Sequence, residues 1–221
     1  MNRKIIITED GSHSLQVPEL QETYHSIHGA IQESQHVFIK NGLQSLGQKN
    51  INIFEMGFGT GLNALLSYLL CHSKEQFISY TSIEKYPLSL DEAKQLNFPV
   101  QLEQNRSFFD RMHTAEWGST SVIEPDFKLT KIKADLSGTE LKGSYDIVFF
   151  DAFGPDIQAN LWTIEVMSKM HKLLRSGGLF VTYSAKGQVR RNLQEAGFTV
   201  ERLPGPPGKR EMIRATKIQK I

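Results

Sequence analysis

Ile51-Asn52-Ile53-Phe54-Glu55-Met56-Gly57-Phe58-Gly59-Thr60-Gly61-Leu62-Asn63 is the stretch that decides the fold. The apolar run Ile51–Glu55 has the length of a buried strand and enters at once a turn with glycine at alternate positions. Leu62, Leu65, Leu66 and Leu69 then recur at helical spacing. Strand, glycine-rich turn and helix open a doubly wound α/β sheet, where ligands sit beyond the carboxyl ends of the strands. A dinucleotide turn needs G-x-G-x-x-G, and Leu62 stands where its third glycine would fall. Glu55, just before the turn, would repel a pyrophosphate and suits a cationic ligand. S-adenosylmethionine is such a ligand, with an ammonium, a sulfonium and no phosphate. Gly57, Gly59 and Gly61 would let backbone approach its methionine part closely.

Working outward, strands and helices alternate. Lys4–Thr8 reads as a short strand and Glu22–Leu46 as a partly helical lead-in. Phe77–Glu84 reads as a second core strand, and Pro87–Leu96 as a helix with Leu90, Ala93 and Leu96 on one side. Helix and loop follow over Phe98–Thr120, then strand-like pieces over Ser121–Ala134. Tyr145–Phe150 is an apolar strand. Leu161–Leu174 is a helix closed by Gly177-Gly178, with Met167, Met170 and Leu174 inward. Leu179–Tyr183 is a strand and Gln188–Ala196 a helix. Phe198–Leu203 and Met212–Thr216 close the chain as an antiparallel hairpin. The core strands are continuously apolar, the pattern of a parallel sheet covered on both faces. The expectation is one domain over residues 1–221, with a lead-in and lid over 1–50 and a Rossmann-like core over 51–221.

Acidic residues recur at the ends of successive strands: Glu55, Glu84, Asp135 and Asp151. Glu84 is placed to accept both ribose hydroxyls of the cofactor, and Asp135 to accept from the adenine amino group. Four carboxylates in register far exceed what solvated loops produce by chance.

Composition narrows the function classes. The 221 residues carry 22% charged and 39% hydrophobic residues, which excludes a disordered chain and favours one domain. No apolar run is long enough for a bilayer, and the N-terminus lacks the apolar core of a signal peptide. A single cysteine, Cys71, permits no internal disulfide and no cysteine-based zinc site, and His25, His28 and His36 read as surface or loop residues. The expectation is a cytoplasmic protein with no membrane and no metal. Net charge is +1, yet residues 186–220 hold nine Lys/Arg against three Glu, so this segment carries +6 and the remainder −5. A local basic surface of this kind meets phosphate or is simply solvated.

Several stretches together carry a resemblance. Glu55 through Asn63 resembles the first motif of class I S-adenosylmethionine-dependent methyltransferases. Tyr24-His25-Ser26, Glu33-Ser34 and Val37-Phe38 resemble, more narrowly, the methyltransferase half of the bifunctional tRNA 5-methylaminomethyl-2-thiouridine biosynthesis proteins. So do Phe150-Asp151-Ala152-Phe153-Gly154-Pro155 followed by Leu161-Trp162, Val189 through Phe198, and Gly208-Lys209-Arg210-Glu211-Met212. The resemblance runs from about Tyr24 to about Ala215. Ala159 departs from the proline that many relatives carry before the Trp. The resemblance implies a seven-stranded sheet, mostly parallel, with an antiparallel last strand. It implies S-adenosylmethionine as cofactor and, as substrate, the wobble uridine of tRNA already bearing a 5-aminomethyl group. The bifunctional proteins also carry an FAD-dependent domain that removes a carboxymethyl group. A chain of 221 residues has no room for it, so a separate enzyme is expected to supply the aminomethyl precursor.

Methyl transfer to an amine is an in-line displacement in which the protein mainly positions the pair. The amine must be neutral to attack, and at a lysine-like pKa of about 10.4 its deprotonation at neutral pH costs roughly 4–5 kcal/mol. Asp151, ending the fourth core strand, is the expected catalytic carboxylate. Phe153 and Trp162 are candidates to stack on the base, and Tyr24 and Glu33 to fold over the site as a lid. Arg190, Lys209 and Arg210 are candidate phosphate contacts in the basic segment. Two other readings remain open at this stage: methylation of a small soluble amine, and a catalytically silent RNA-binding relative.

Overall fold

Neighbouring residues of the central strands are buried in pairs, one on each face, in the computed structural model, which describes residues 2–218. Ile53, Ile147, Phe149, Val181 and Met212 enter one apolar cluster, and Phe54, Val148, Phe150, Phe180 and Ile213 enter the other. Both parities of each strand are therefore apolar, and helices must cover both sheet faces. Lys220, part of the basic segment counted above, lies outside the described residues.

The chain builds β1 (Lys4–Ile7), β2 (His13–Val17), β3 (Glu22–Thr23), α1 (Ala30–Ser34), β4 (Asn50–Met56), α2 (Leu62–Ser73), β5 (Phe77–Glu84) and α3 (Leu90–Lys94). It continues with α4 (Phe98–Gln101), α5 (Ser107–Thr114), β6 (Thr120–Glu124), β7 (Phe127–Lys133), β8 (Tyr145–Phe150) and α6 (Ile164–Leu173). β9 (Leu174–Thr182), α7 (Gly187–Glu195), β10 (Phe198–Pro204) and β11 (Glu211–Lys217) complete it. After α1 the helix runs on through a wider π-type segment, Gln35–Lys40, which buries Val37, Phe38 and Ile39. That segment, α2 and α5 pack on one face of the sheet, and α6 and α7 on the other.

The main sheet has the order β10-β11-β9-β8-β4-β5-β7-β6. β9, β8, β4, β5 and β7 are parallel, while β11 is antiparallel to β9 and to β10. This is the Rossmann-like α/β architecture, with one strand more than the seven expected. Residues 120–133 form a hairpin, β6 antiparallel to β7 around Pro125-Asp126, so a second edge strand joins the sheet. The chain leaves β4 toward β5 on one side and returns through β8 on the other. The strand order thus reverses at β4 and β8, and a crevice opens beyond their carboxyl ends.

Three local readings need correction. The helix expected from Pro87 starts at Leu90, because Ser89 closes a capping box with Glu92; Leu90 itself is exposed, while Ala93 and Leu96 are buried. Gly177-Gly178 do not stop α6. The helix passes directly into β9, and the glycines lie within that strand, where its register against β8 shifts between Tyr145–Leu174 and Ile147–Leu179. His25 is buried, within 3.2 Å of Ser14 Oγ and 3.3 Å of Thr60 Oγ1, and ties the lead-in to the glycine turn. Burial lowers its pKa to about 4, so it stands there neutral.

β1, β2 and β3 form a separate antiparallel sheet whose outgoing chain closes over the crevice. The loop between β10 and β11 reaches the same lead-in: His36 Nε2 is 2.8 Å from Pro204 O, and the His28 ring fills the space above Gly208. Gly208 has φ +80°, and a Cβ there would meet His28 Cδ2 at 2.0 Å. Gly208→Ala should therefore lower stability by about 1–2 kcal/mol through backbone strain alone, plus the displaced ring. Thermal unfolding checks this, and adding His28→Ala should recover only the ring part. An unchanged melting temperature for Gly208→Ala would contradict this docking.

Candidate active site

The crevice is a cavity of about 550 Å³, within the range of small-molecule sites. Three strand ends meet at its floor. Gly57 N–H donates to Ile83 O at 2.9 Å, and Asp151 N–H donates to Met56 O at 3.0 Å. Gly57, at φ +90°, packs so closely that a Cβ would meet the Asp151 carbonyl oxygen at 2.8 Å. Only glycine fits there, and its backbone faces the cavity.

Glu84, ending β5, accepts from Gly59 N–H at 3.1 Å through Oε2 and from Tyr86 N–H at 2.7 Å through Oε1. Each oxygen keeps further acceptor capacity, and the residue lines the cavity. Asp135 follows β7, pairs with Lys85 at 2.7 Å and accepts from Ser137 N–H and Oγ–H. Those partners hold its pKa down near 2, the Lys85 hydrogen bond first. Tyr24 lays its ring against Gly59, where a Cβ would touch it at 3.3 Å, and meets Phe153 edge to face at 5.3 Å. Burial raises the Tyr24 phenol to about 12, and its oxygen accepts from Arg3 Nε at 2.9 Å.

Asp151 sits at the end of β8, half-buried. Its Oδ2 accepts from Asn63 Nδ2 at 2.8 Å. Burial first, then the Glu33 charge, raises its pKa to about 7. Glu33 is 6% exposed, accepts from Ser26 N–H at 2.7 Å and pairs with Lys209.

Not every expected residue reaches the cavity. Gly57, Gly59, Glu84, Asp135, Asp151, Tyr24, Glu33, Phe153 and Lys209 line it; Glu55, Gly61, Trp162, Arg190 and Arg210 do not. Glu55 is 1% exposed beneath the floor, where it accepts from Ser82 Oγ–H at 2.7 Å. It does not line the cavity, because its side chain turns inward to the buried Ser82, Asn63 and Tyr80 side chains. Gly61 stands as the left-handed residue before α2, at φ +75°, with Met112 and His113 behind it. Trp162 is 3% exposed and donates Nε1–H to Phe153 O at 2.8 Å, so it props the loop from below. Arg190 is half-buried on α7, and Arg210 is exposed on the β10–β11 loop.

Asn63 and Tyr183 escaped the sequence reading as site residues. Asn63 ends the glycine motif and returns from the first turn of α2 toward Asp151. Tyr183 follows β9, and strand-end position was the signal that found the carboxylates and applied equally to it. The basic segment is also less available than its composition suggests. Lys186, Lys209, Arg202 and Arg214 form ion pairs, and Lys217 donates to the carbonyls of His171 and Leu174. Among the described residues Arg190, Arg191 and Arg210 enter no ion pair.

Five carboxylates line the cavity (Glu22, Glu33, Glu84, Asp135, Asp151) against two ammonium groups (Lys85, Lys209). An acidic cavity with a glycine floor fits a cationic ligand and opposes a phosphate. Residues 119–218 match the family model of S-adenosyl-L-methionine-dependent methyltransferases. The fold is shared with MNMC2 from Aquifex aeolicus, at TM-score 0.77 and 24% identity over 100% of this chain and 73% of that one. It is shared also with spermidine synthase from Thermotoga maritima, at TM-score 0.56 and 14% identity over 98% and 72%. The chain has the Rossmann-like fold of these proteins, and somewhat less than half of it carries the methyltransferase family match. It is similar to the tRNA 5-methylaminomethyl-2-thiouridine biosynthesis bifunctional protein MnmC. It is 30% identical to the protein from Cupriavidus metallidurans over 94% of this chain and 33% of that one. Against the protein from Pseudomonas savastanoi pv. phaseolicola it is 31% identical over 90% and 33%. The chain thus spans about a third of the length of these curated relatives. No helix among the described residues is long and apolar enough to cross a membrane.

Burial raises Glu55 from 4.5 to about 8, with the Asp151 charge adding to the effect. The folded state therefore binds more protons than the unfolded state between those values. The stability tied to Glu55 is complete below about pH 4.5 and is lost as pH rises toward 8. Glu55→Gln should remove that loss, gaining at pH 8.5 relative to pH 5 at least about 1.4 kcal/mol, the worth of one pKa unit. Urea unfolding of both proteins at the two pH values measures this. An equal pH dependence would show that Glu55 is ionised in the fold.

Proposed function

We propose that the protein transfers a methyl group from S-adenosylmethionine to the exocyclic amine of 5-aminomethyl-(2-thio)uridine at the tRNA wobble position. The observation that supports this most is Asp151: a carboxylate with a raised pKa, at the switch point, oriented by Asn63 and facing the same cavity as the glycine turn. The likeness to the bifunctional relatives supplies the substrate class.

In this reading the Gly57–Gly59 backbone holds the methionine part, Glu84 takes the ribose hydroxyls and Asp135 lies toward the adenine. Bound S-adenosylmethionine supplies an electrophilic sulfonium methyl group. Asp151 accepts the proton of the acceptor ammonium and orients the resulting amine. With its pKa near 7 the gap to a lysine-like ammonium at about 10.4 shrinks to roughly 3 units, against roughly 6 for an ordinary carboxylate. Tyr24 and Phe153 wall the cavity and exclude water. Arg190 and Arg210 meet tRNA phosphates outside it; Lys209 starts inside, paired with Glu33. A separate enzyme supplies the aminomethyl precursor, and the reaction takes place in the cytoplasm.

Asp151→Asn should lower kcat by about 10²–10⁴ on tRNA carrying the aminomethyl group, with tRNA affinity little changed. The wild-type kcat/KM should rise with pH through an acid limb near 7, and that limb should vanish in the variant. Normal turnover by the variant would remove Asp151 from proton transfer. Glu84→Ala should weaken S-adenosylmethionine binding by about 1–3 kcal/mol, read by calorimetry. Arg190→Ala with Arg210→Ala should flatten the salt dependence of tRNA binding by about one to two units of slope. An unaltered slope would place the tRNA elsewhere.

A further inference from the structure

Lys209 carries into the cavity a group of the same chemistry as the proposed acceptor, a primary alkylammonium on a methylene stem. Its Nζ lies over the Tyr183 ring, 3.9 Å from the centroid, and pairs with Glu33 Oε1. An aromatic face together with a desolvated carboxylate is the arrangement that recognises alkylammonium ions.

Both walls of this cage are fixed independently of Lys209. Glu33 is 6% exposed, sits on α1 and is held from its other oxygen by Ser26 N–H at 2.7 Å. The Tyr183 hydroxyl donates to Ala152 O at 2.8 Å, which sets the ring beside the residue that follows Asp151. Asp151 shares the field of the cage: the Glu33 charge raises its pKa, and the Lys209 charge lowers it. Lys209, by contrast, arrives on the loop between β10 and β11, at the end of a flexible stem. The two walls form the receptor, and the ammonium is the group they receive.

We propose that the Tyr183 face and Glu33 form the subsite for the acceptor ammonium, which Lys209 occupies as a placeholder until the substrate amine displaces it. The inference rests on the reading that this cavity methylates an alkyl amine. An ammonium held there lies next to Asp151, where its proton has an acceptor. A neutral substituent such as a hydroxymethyl group can donate one hydrogen bond to Glu33 but forms neither the ion pair nor the cation–π contact, so the subsite favours the aminomethyl state of the nucleobase. Arg210, the residue after Lys209, is exposed on the same loop.

The probe is benzylammonium chloride, an aminomethyl group on a flat ring, with benzyl alcohol as its neutral counterpart. Binding by calorimetry to wild type and Lys209→Met should show benzylammonium bound about tenfold or more tightly by the variant, and benzyl alcohol bound equally by both. Glu33→Gln added to Lys209→Met should abolish the gain. Equal benzylammonium affinity in wild type and Lys209→Met, or a gain that survives Glu33→Gln, overturns the proposal. On the wild-type protein, acylation of Lys209 by a small lysine reagent, mapped by peptide mass and taken as a ratio to exposed Lys128 to cancel reagent consumed by the probe amine, should accelerate at least about threefold under saturating benzylammonium. Protection or no change there overturns it too, whatever the fate of the variant. None of these readouts uses tRNA. A protein that shows this ammonium site yet leaves tRNA unmethylated would contradict the wobble-uridine reading alone.

Discussion

Gly57 against the Asp151 carbonyl is the contact on which the site depends. One strand end carries the glycine turn and the other carries the carboxylate, and they meet at 2.8 Å from where a Cβ would stand. The Asp151 N–H bond to Met56 O, at 3.0 Å, repeats the constraint from the other side. Parallel strands ending at one level are a consequence of the doubly wound sheet. Their carboxyl ends therefore deliver the glycine turn and the Asp151 carboxylate to a single crevice. Everything above that floor, the lead-in sheet and the β10–β11 loop, serves to close it.

Closure creates the electrostatic character of the site. Tyr24, Phe153 and Tyr183 wall Asp151 and Glu33 off from solvent, and burial together with the Glu33 charge raises the proton affinity of Asp151. Two positive charges moderate this within the cavity, Lys85 on Asp135 and Lys209 on Glu33. The residual negative charge suits a sulfonium and an ammonium bound together, two cations that repel each other in water. The placeholder role of Lys209 follows from the same balance, since a buried Glu33 without a cation would be costly.

The sequence disclosed the sheet through continuously apolar strands, and the cavity through carboxylates at strand ends. Strand ends were legible because chain direction and sheet order fix where they point. Glu55 misled because its position beside the turn says nothing about which way its side chain leaves the strand; it points inward, to Ser82. Lys209 misled because charge in a sequence carries no partner, and Glu33 lies 176 residues away. Trp162 read as a stacking candidate but supports Phe153 through its indole N–H. The extra strand β6 was hidden in a segment whose turn, Pro125-Asp126, separates two short runs that look like one broken strand.

Mass analysis of the wobble nucleosides in tRNA from cells lacking this gene tests the central claim most directly. The account predicts that the free 5-aminomethyl form of the wobble uridine accumulates and its methylated form disappears, with both restored by the wild-type gene and not by Asp151→Asn. An unchanged nucleoside profile would contradict it and leave the acidic cavity to another amine.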